Sequence, residues 1–290
     1  AEDVYKAAKD CKVLIAGTED LGLLVKNSEK IEMISRVGIG LDGVPLELCR
    51  QKGIHVSWTP DAVTSAVAEM TIGLMINSSR YLAISDSLLR KNTWTRTARK
   101  GISESVIGLI GFGRIGKAVA LHLKSFNPKS VIVYDLKNKE ITINALRDEG
   151  LNIVSKPFEH LISTADIVSL HVPLSRLTKN IIGSDQLAQM KPGSILINTA
   201  RGGLIDEKSL YESLKNNHLS SAAIDVFNDE PYNGELTDLN NIFLTPHIGS
   251  CSVTARRDME LQAAEEAVRF LNGEELKQAV PSDEFEYASQ

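Results

Sequence analysis

The sequence VIGLIGFGRIGKAVALHL, residues 106–123, combines an apolar run, a glycine-rich turn and a helix-like pattern. Gly111, Gly113 and Gly116 follow the spacing GxGxxG. In such a turn the first glycine allows a tight bend, the second lets the backbone approach a pyrophosphate, and the third lets the helix pack on the strand. The amides at the start of the helix then face the phosphate charge. The stretch therefore predicts a strand, a phosphate-binding turn and a helix.

An acidic residue follows this turn at the distance expected for a dinucleotide site. Asp135 closes the next apolar run, SVIVYD, about 20 positions after Gly116. A carboxylate at this place hydrogen-bonds the adenosine ribose and repels a 2′-phosphate, so the sequence favours NAD over NADP as cofactor. The alternative interpretation is an ordinary strand-to-helix turn followed by an incidental aspartate.

Short β-type runs alternate with helix-like segments on both sides of the turn. The runs are KVLIAG, IEMISRVG and GIHVSW in the first 60 residues, then SVIGLIG, SVIVYD, NIVS, DIVSLHVP, GSILINTA, SAAIDVF and IFLTP. A long helical region begins at Pro60 and Asp61 and continues, with a possible break, to about Arg90. This alternation predicts an α/β protein with two parallel-sheet domains joined by helices. The amphipathic segment 252–275 is expected to return the chain to the first domain.

Composition excludes several classes of partner. The 290 residues carry 32 Lys and Arg against 37 Asp and Glu, a net charge of −5, without a basic run, so we expect no nucleic acid or anionic membrane partner. The longest apolar stretch, 62–76, is interrupted by Glu69 and is too short to span a bilayer. Cys11, Cys49 and Cys251 lie far apart without metal-type spacing. We therefore expect no metal site and reduced thiols in a cytoplasmic protein.

Charged and imidazole side chains follow the later predicted strands. Because open parallel sheets bind ligands at the carboxyl ends of their strands, these residues are candidates for one site. The candidates are His171, Val172 and Pro173 after the fourth run of the second series, Thr199 and Arg201 after the fifth, Asp225 and Glu230 after the sixth, and His247 after the last.

These residue types suit hydride transfer to a ketone. The alkoxide that forms needs a proton donor, for which His247 is the natural choice, and a carboxylate such as Glu230 would orient the imidazole and favour its protonated form. Arg201 can hold a substrate carboxylate and polarise the adjacent carbonyl. Taken singly, each has another interpretation: Arg201 as an ion-pair partner, Glu230 as a turn residue and His247 as a loop histidine. His171 is predicted to form a wall of the nicotinamide pocket.

The motifs GLIGFGRIG, HVPL, INTARGGLIDE, AIDVFNDEP and LTPHIGS, in this order and spacing, resemble the D-isomer-specific 2-hydroxyacid dehydrogenases, most closely their D-3-phosphoglycerate dehydrogenase-like branch. The resemblance covers nearly the whole chain. It implies two doubly wound α/β domains: an NAD-binding Rossmann domain, residues 76–251, inserted in a flavodoxin-like substrate domain, residues 1–75 and 252–290. It also implies a homodimer, with residues 62–90 resembling the family's dimerisation helices.

The resemblance implies the interconversion of a small D-2-hydroxy acid and its 2-keto acid with NAD. The implied catalytic residues are Arg201, Glu230 and His247, and the implied substrate contacts are Ile39, Gly40, Arg201 and His247. The implied cofactor contacts are Ile39, Gly111, Gly113, Arg114, Ile115, Gly116, Asp135, His171, Val172, Pro173, Thr199, Ala200, Arg201, Asp225, His247, Ile248, Gly249 and Ser250.

The chain departs from the family pattern in two places. Family members usually begin with a further strand and helix, so the substrate domain is expected to be N-terminally short. Phosphoglycerate dehydrogenases tend to carry an arginine after the next strand, where this chain has IAGTE with Gly17 and Glu19. Losing a charge-assisted phosphate contact costs about 1.5–3 kcal/mol, so phosphoglycerate is a disfavoured substrate.

Two rival functions stay open. An NAD(H)-sensing, corepressor-like binding protein would retain the same three catalytic-type residues, and a phosphite dehydrogenase-type relative is compatible with them. Formate dehydrogenases replace the glutamate, so Glu230 argues against that branch.

Overall fold

The helices and strands of the computed structural model, which describes residues 1–282 and 284, follow the alternation predicted from the sequence. In chain order they are α1 (Glu2–Ala8), β1 (Val13–Ala16), α2 (Gly22–Asn27), β2 (Met33–Arg36), α3 (Leu46–Lys52), β3 (His55–Ser57), α4 (Pro60–Arg80), α5 (Leu82–Arg90), β4 (Val106–Ile110), α6 (Arg114–Lys124), β5 (Ser130–Tyr134), α7 (Glu140–Asp148), β6 (Ile153–Ser155), α8 (Phe158–Thr164), β7 (Ile167–Leu170), α9 (Ser184–Gln189), β8 (Ile195–Asn198), α10 (Glu207–Lys215), β9 (Ser221–Ile224), β10 (Ile242–Leu244) and α11 (Val253–Leu271). Each run predicted to be a strand contains one.

The chain divides into two compact units, one formed by residues 1–65 and 250 onward, the other by residues 66–249. The predicted boundaries fall after residues 75 and 251. Because α4 runs unbroken through both 65 and 75, its periodicity carries no signal of the first boundary. Residues 283 and 285–290 of the predicted substrate domain lie outside the described part of the chain.

In the first unit, the parallel strands β1, β2 and β3 pair in chain order. The helix α11 packs on β1 and β2, and the Ser35 hydroxyl of β2 donates to the Ala263 carbonyl of α11 over 2.8 Å. The chain beyond α11 pairs antiparallel with β3 at Ala279. Its amides at Lys277 and Gln278 donate to the buried carboxylate of Glu266. The segment predicted to return to the first domain therefore ends on its sheet.

The second unit contains a seven-stranded parallel sheet in the order β10-β9-β8-β7-β4-β5-β6. The chain runs outward from β4 to β6, then returns to the other side of β4 and continues to β10. This reversal between β4 and β7 is the topological switch point at which doubly wound sheets bind ligands. The glycine-rich turn directly follows β4 and therefore lies at the switch point.

Successive residues of β4 bury their side chains on opposite faces of the large sheet. Leu109 belongs to an apolar cluster with Val119 of α6, whereas Ile110 belongs to a second cluster with Leu161 of α8. All four side chains are fully buried, and each contributes about 1.5–3 kcal/mol by leaving water. Helices on both faces explain why the strands of this sheet read as continuous apolar runs.

The helical region after the first unit's last strand is interrupted as predicted. The helix α4 begins at Pro60, and Tyr81, whose φ is 54°, separates it from α5. Among the described residues, we find no helix with the length and apolar content that crossing a membrane requires.

Candidate active site

The three glycines of the turn after β4 have different surroundings. Gly111 has a φ of 94°, a conformation that side chains disfavour. A Cβ on Gly116 would overlap the Gly111 carbonyl oxygen, so only glycine lets α6 begin this close to β4. Gly113 precedes α6, and among the described residues no atom other than those of its chain neighbours lies within 4 Å of the position its Cβ would take. The turn therefore has open space at the helix N-terminus, where a pyrophosphate binds.

Asp135 fastens the end of β5 to the same turn. One carboxylate oxygen accepts from the Phe112 amide over 2.7 Å, and the other accepts from the Lys137 amide over 2.8 Å. The Lys139 ammonium lies 3.9 Å from the carboxylate. Because each oxygen has a second lone pair, the carboxylate can still accept from ribose hydroxyls.

His171 follows β7, and its backbone contacts Gly111. Both ring nitrogens are buried, and neither has a hydrogen-bond partner in the part of the chain that the structure describes. Burial lowers the pKa of His171 to about 3, so the ring is neutral. An unpartnered imidazole beside an open glycine turn and an oriented carboxylate fits a bound dinucleotide.

The turn after β8 places Arg201. The buried amide of Asn198 donates to the Arg201 carbonyl over 2.8 Å and accepts from the Ala200 amide over 3.0 Å. The hydroxyls of Thr199 and Thr71 of α4 are 2.9 Å apart. The Arg201 guanidinium donates to the Ala200 carbonyl over 2.6 Å. Sequence reasoning missed Asn198 and Thr71, although a polar residue inside the apolar run ILIN is a signal for Asn198.

Glu230 and His247 form a direct pair. His247 Nδ1 lies 2.7 Å from Glu230 Oε2, and the other carboxylate oxygen accepts from the Phe227 amide over 3.0 Å. Because Nδ1 is engaged, Nε2 is the ring nitrogen left to exchange a proton with a substrate. The His247 side chain is 44% exposed, which leaves it accessible.

The loop that carries His247 is anchored by a buried carboxylate. Asp225 accepts from the Thr245 hydroxyl over 2.6 Å, from the Ile248 amide over 2.9 Å and from the Gly249 amide over 2.8 Å. Its carbonyl also accepts from the His247 amide. Asp225 therefore organises the loop, a role that the sequence analysis did not assign.

The second unit brings most of the predicted site residues to the carboxyl ends of β4, β5, β7, β8, β9 and β10. They are Gly111, Gly113, Arg114, Ile115, Gly116, Asp135, His171, Val172, Pro173, Thr199, Ala200, Arg201, Asp225, Glu230, His247, Ile248 and Gly249. Ile39, Gly40 and Ser250 belong to the first unit.

In the first unit, the loop after β2 turns its carbonyl groups onto a buried arginine. Arg36 donates to the carbonyls of Val37 and Gly40, while the Gly38 amide donates to the Thr59 hydroxyl. In the part of the chain that the structure describes, the amides of Ile39 and Gly40 donate to no protein acceptor. Two successive amides without a protein acceptor are available to donate to an anion. Sequence reasoning missed Arg36.

Comparison with known proteins identifies similar chains. Residues 72–249 match the family model described as "D-isomer specific 2-hydroxyacid dehydrogenase, NAD binding domain". The chain is 37% identical to D-3-phosphoglycerate dehydrogenase of Methanocaldococcus jannaschii over 94% of its length, but spans only about half, 52%, of that protein. It is 35% identical to glyoxylate reductase of Thermococcus litoralis, with 87% of this chain and 77% of that protein covered.

A solved structure is similar in fold. The TT0316 protein of Thermus thermophilus superimposes with a TM-score of 0.87 at 31% identity. The superposition covers 97% of this chain and 89% of that one.

Proposed function

The chain belongs to the D-isomer-specific 2-hydroxyacid dehydrogenase family, and from this premise we propose that it interconverts a small, unphosphorylated D-2-hydroxy acid and its 2-keto acid with NAD. The observation that carries the proposal is the Glu230–His247 pair, 2.7 Å apart. The pair lies at the same sheet edge as an open glycine turn and Arg201.

NAD supplies a hydride acceptor when bound, and NADH a hydride donor. The amides at the start of α6 would hold its pyrophosphate, and Asp135 would accept from its adenosine ribose. His171 would line the pocket as a neutral ring.

In the direction of reduction, His247 Nε2 gives a proton to the substrate carbonyl oxygen, and in oxidation it takes the proton back. Glu230 holds Nδ1 and thereby orients the ring, with Nε2 left to face the substrate. Arg201 is the proposed partner of the substrate carboxylate, because a guanidinium can bind it through two parallel hydrogen bonds. In the first unit, taken by itself, the amides of Ile39 and Gly40 are proposed to bind a carboxylate, because they donate to no acceptor in the described part of the chain.

The surroundings of Gly17 favour an unphosphorylated substrate. The Glu19 carboxylate oxygens lie 3.0 Å from the position that a Cβ of Gly17 would take, so a negative charge lies over the residue after β1. A phosphate near this place would meet repulsion from Glu19.

The proposal is tested by following NADH loss with glyoxylate, pyruvate, hydroxypyruvate and 3-phosphohydroxypyruvate. We expect kcat/KM for hydroxypyruvate to exceed that for its phosphorylated form about tenfold to hundredfold. Equal or faster use of the phosphorylated acid would contradict the substrate class. NADH binding without turnover of any keto acid would support the sensor function, and NAD reduction with phosphite would support the phosphite dehydrogenase-type function.

Cofactor choice is tested through Asp135. We expect Asp135→Asn to lower the NADH-to-NADPH ratio of kcat/KM about tenfold or more, because it removes the charge that repels a 2′-phosphate and keeps the side-chain shape. Lys139 would then be free to face the phosphate. The matched control is Asp148→Asn, an exposed carboxylate at the end of α7. If the unmodified chain uses both cofactors equally, Asp135 does not select NAD.

We further propose that two copies associate through the arm formed by α5 and residues 91–100. None of the residues of α5 is buried, and residues 91–100 are all exposed. The arm exposes Leu82, Leu89 and Trp94, the last at 79%. Arg99 returns over the Tyr81 ring, 3.6 Å from its centre, and so fixes the base of the arm. Exposed aromatic side chains such as Trp94 are enriched at interfaces between protein chains.

The proposed dimer is tested by light scattering coupled to gel filtration. One chain has a mass of 31.7 kDa, and light scattering should give the unmodified protein twice that mass. The double variant Leu89→Ser, Trp94→Ser should have a mass closer to that of the monomer. Leu121→Ser, an exposed leucine on α6, is the control and should leave the mass unchanged. A monomeric parent protein at micromolar concentration would exclude this interface.

We also propose that the protein is located in the cytoplasm. Cys11, Cys49 and Cys251 are all free thiols, as a reducing compartment maintains. Burial raises the pKa of the Cys49 thiol to about 12, which makes it inert.

A further inference from the structure

Two glutamates hold two successive amides in the loop after β9. The Phe227 amide donates to Glu230 Oε1 over 3.0 Å, and the next amide, that of Asn228, donates to Glu207 Oε1 over 2.7 Å. Glu230 in turn holds His247. Glu207 therefore fixes the peptide next to the one that orients the carboxylate of the pair.

Glu207 itself is held by a rigid element. It is the first residue of α10, whose N-terminus is capped by the Asp206 carboxylate accepting from the Ser209 amide over 2.7 Å. The preceding turn packs against the same loop, because Gly202 lies in contact with the Phe227 carbonyl group. The Phe227 ring also stacks on Tyr232, with ring centres 4.2 Å apart. The loop is thus held at Phe227 and at Asn228, and Glu207 accepts the hydrogen bond from the Asn228 amide.

Glu207 carries a charge that no ion pair within the described part of the chain balances. Burial raises the pKa of its carboxyl group, and repulsion from Asp229 and Asp206 raises it further. Among the described residues, no lysine or arginine forms an ion pair with it. A carboxylate kept at such a place at a cost in stability is a candidate for a functional contact.

We propose that Glu207 is a positioning residue of the active site, which holds the loop at Asn228 and so keeps Glu230 in reach of His247. The inference rests on the proposed function, in which Glu230 orients His247. Glu207 touches neither of these two side chains directly, and its effect passes through the backbone of residues 227 and 228.

The variants Glu207→Ala and Glu207→Gln separate this role from general stability. We expect Glu207→Ala to lower kcat for the best keto acid of the panel about tenfold to hundredfold, because a misplaced catalytic pair loses orientation. The KM for the keto acid and the KM for NADH should each change less than about threefold. Glu207→Gln keeps an acceptor for Asn228 and should stay within about threefold of the parent.

Glu212→Ala, an exposed glutamate on the same helix, is the matched control and should change none of these values. Amide hydrogen exchange at Phe227 and Asn228 gives a readout that needs no turnover, and Glu207→Ala should accelerate it at least about tenfold. Unchanged exchange would overturn the proposal even if the chain reduces no keto acid. Equal loss of kcat in the Ala and Gln variants would also overturn it.

Discussion

The His247→Gln variant is expected to reduce 2-keto acids about 10²–10⁴-fold more slowly than the parent chain while binding NADH equally well. The physical reason is that His247 Nε2 is the proposed proton donor, because Nδ1 is occupied by Glu230 at 2.7 Å. Glutamine preserves a polar group of similar size but cannot exchange a proton near neutral pH. Stopped-flow or steady-state loss of NADH absorbance measures the rate.

NADH binding is measured separately, by the change in nucleotide fluorescence on addition of protein. His160→Gln, which replaces an exposed histidine of α8, is the matched control and should retain full activity. A His247→Gln variant with the parent's kcat would remove His247 from the mechanism. Loss of NADH binding in this variant would instead show that His247 acts mainly as a cofactor contact.

Gly202→Ala is the second substitution with a large expected effect. A Cβ at this position would overlap the Phe227 carbonyl group and lie 2.8 Å from the Asn228 nitrogen. The loop would have to move, and Glu230 would move with it because the Phe227 amide holds its carboxylate. We expect kcat to fall about 100-fold, the cost of a displacement near 1 Å, and the free energy of unfolding to fall by about 1–3 kcal/mol.

Turnover and urea denaturation of the same preparation measure the two effects. Gly73→Ala is the control. Among the described residues, no atom outside its own helix backbone and chain neighbours lies within 4 Å of its Cβ position, and its helical backbone needs no glycine. That variant should be as stable as the parent or more stable by about 0.5–1 kcal/mol. Parent-like activity of Gly202→Ala would show that the loop tolerates displacement and that the contact has no role in positioning Glu230.

The strands and the cofactor turn could be predicted because their signals are local. A strand covered on both faces requires an uninterrupted apolar run, and the glycine spacing reflects steric limits within six residues. Gly116 shows such a limit directly, because any side chain would strike the Gly111 carbonyl. Residues at the carboxyl ends of β8, β9 and β10 could be grouped from the sequence because the ends of parallel strands meet at one edge of the sheet.

The contacts that position the site could not be predicted, because they join residues far apart in the chain. Thr71 meets Thr199, and Glu207 meets the amide of Asn228, without any periodicity that relates the partners. Arg36 reads as an ordinary charge at the end of a strand until its carbonyl acceptors are known. Sequence therefore predicts which residue types reach the sheet edge, and only the folded chain shows which of them hold the others.

The strand that precedes His247 has a consequence for how the protein loses activity. In the described part of the chain, β10 pairs only with β9, so it is an edge of the large sheet. Edge elements open locally at lower cost than central ones. On heating, the loop that carries His247 should therefore become disordered while β4, β5 and β7 are still paired. Loss of activity should occur at a lower temperature than unfolding of the core. The half-life of activity at high temperature would then depend on the hydrogen bonds that the buried Asp225 accepts from Thr245 and Gly249 more than on the size of the hydrophobic core.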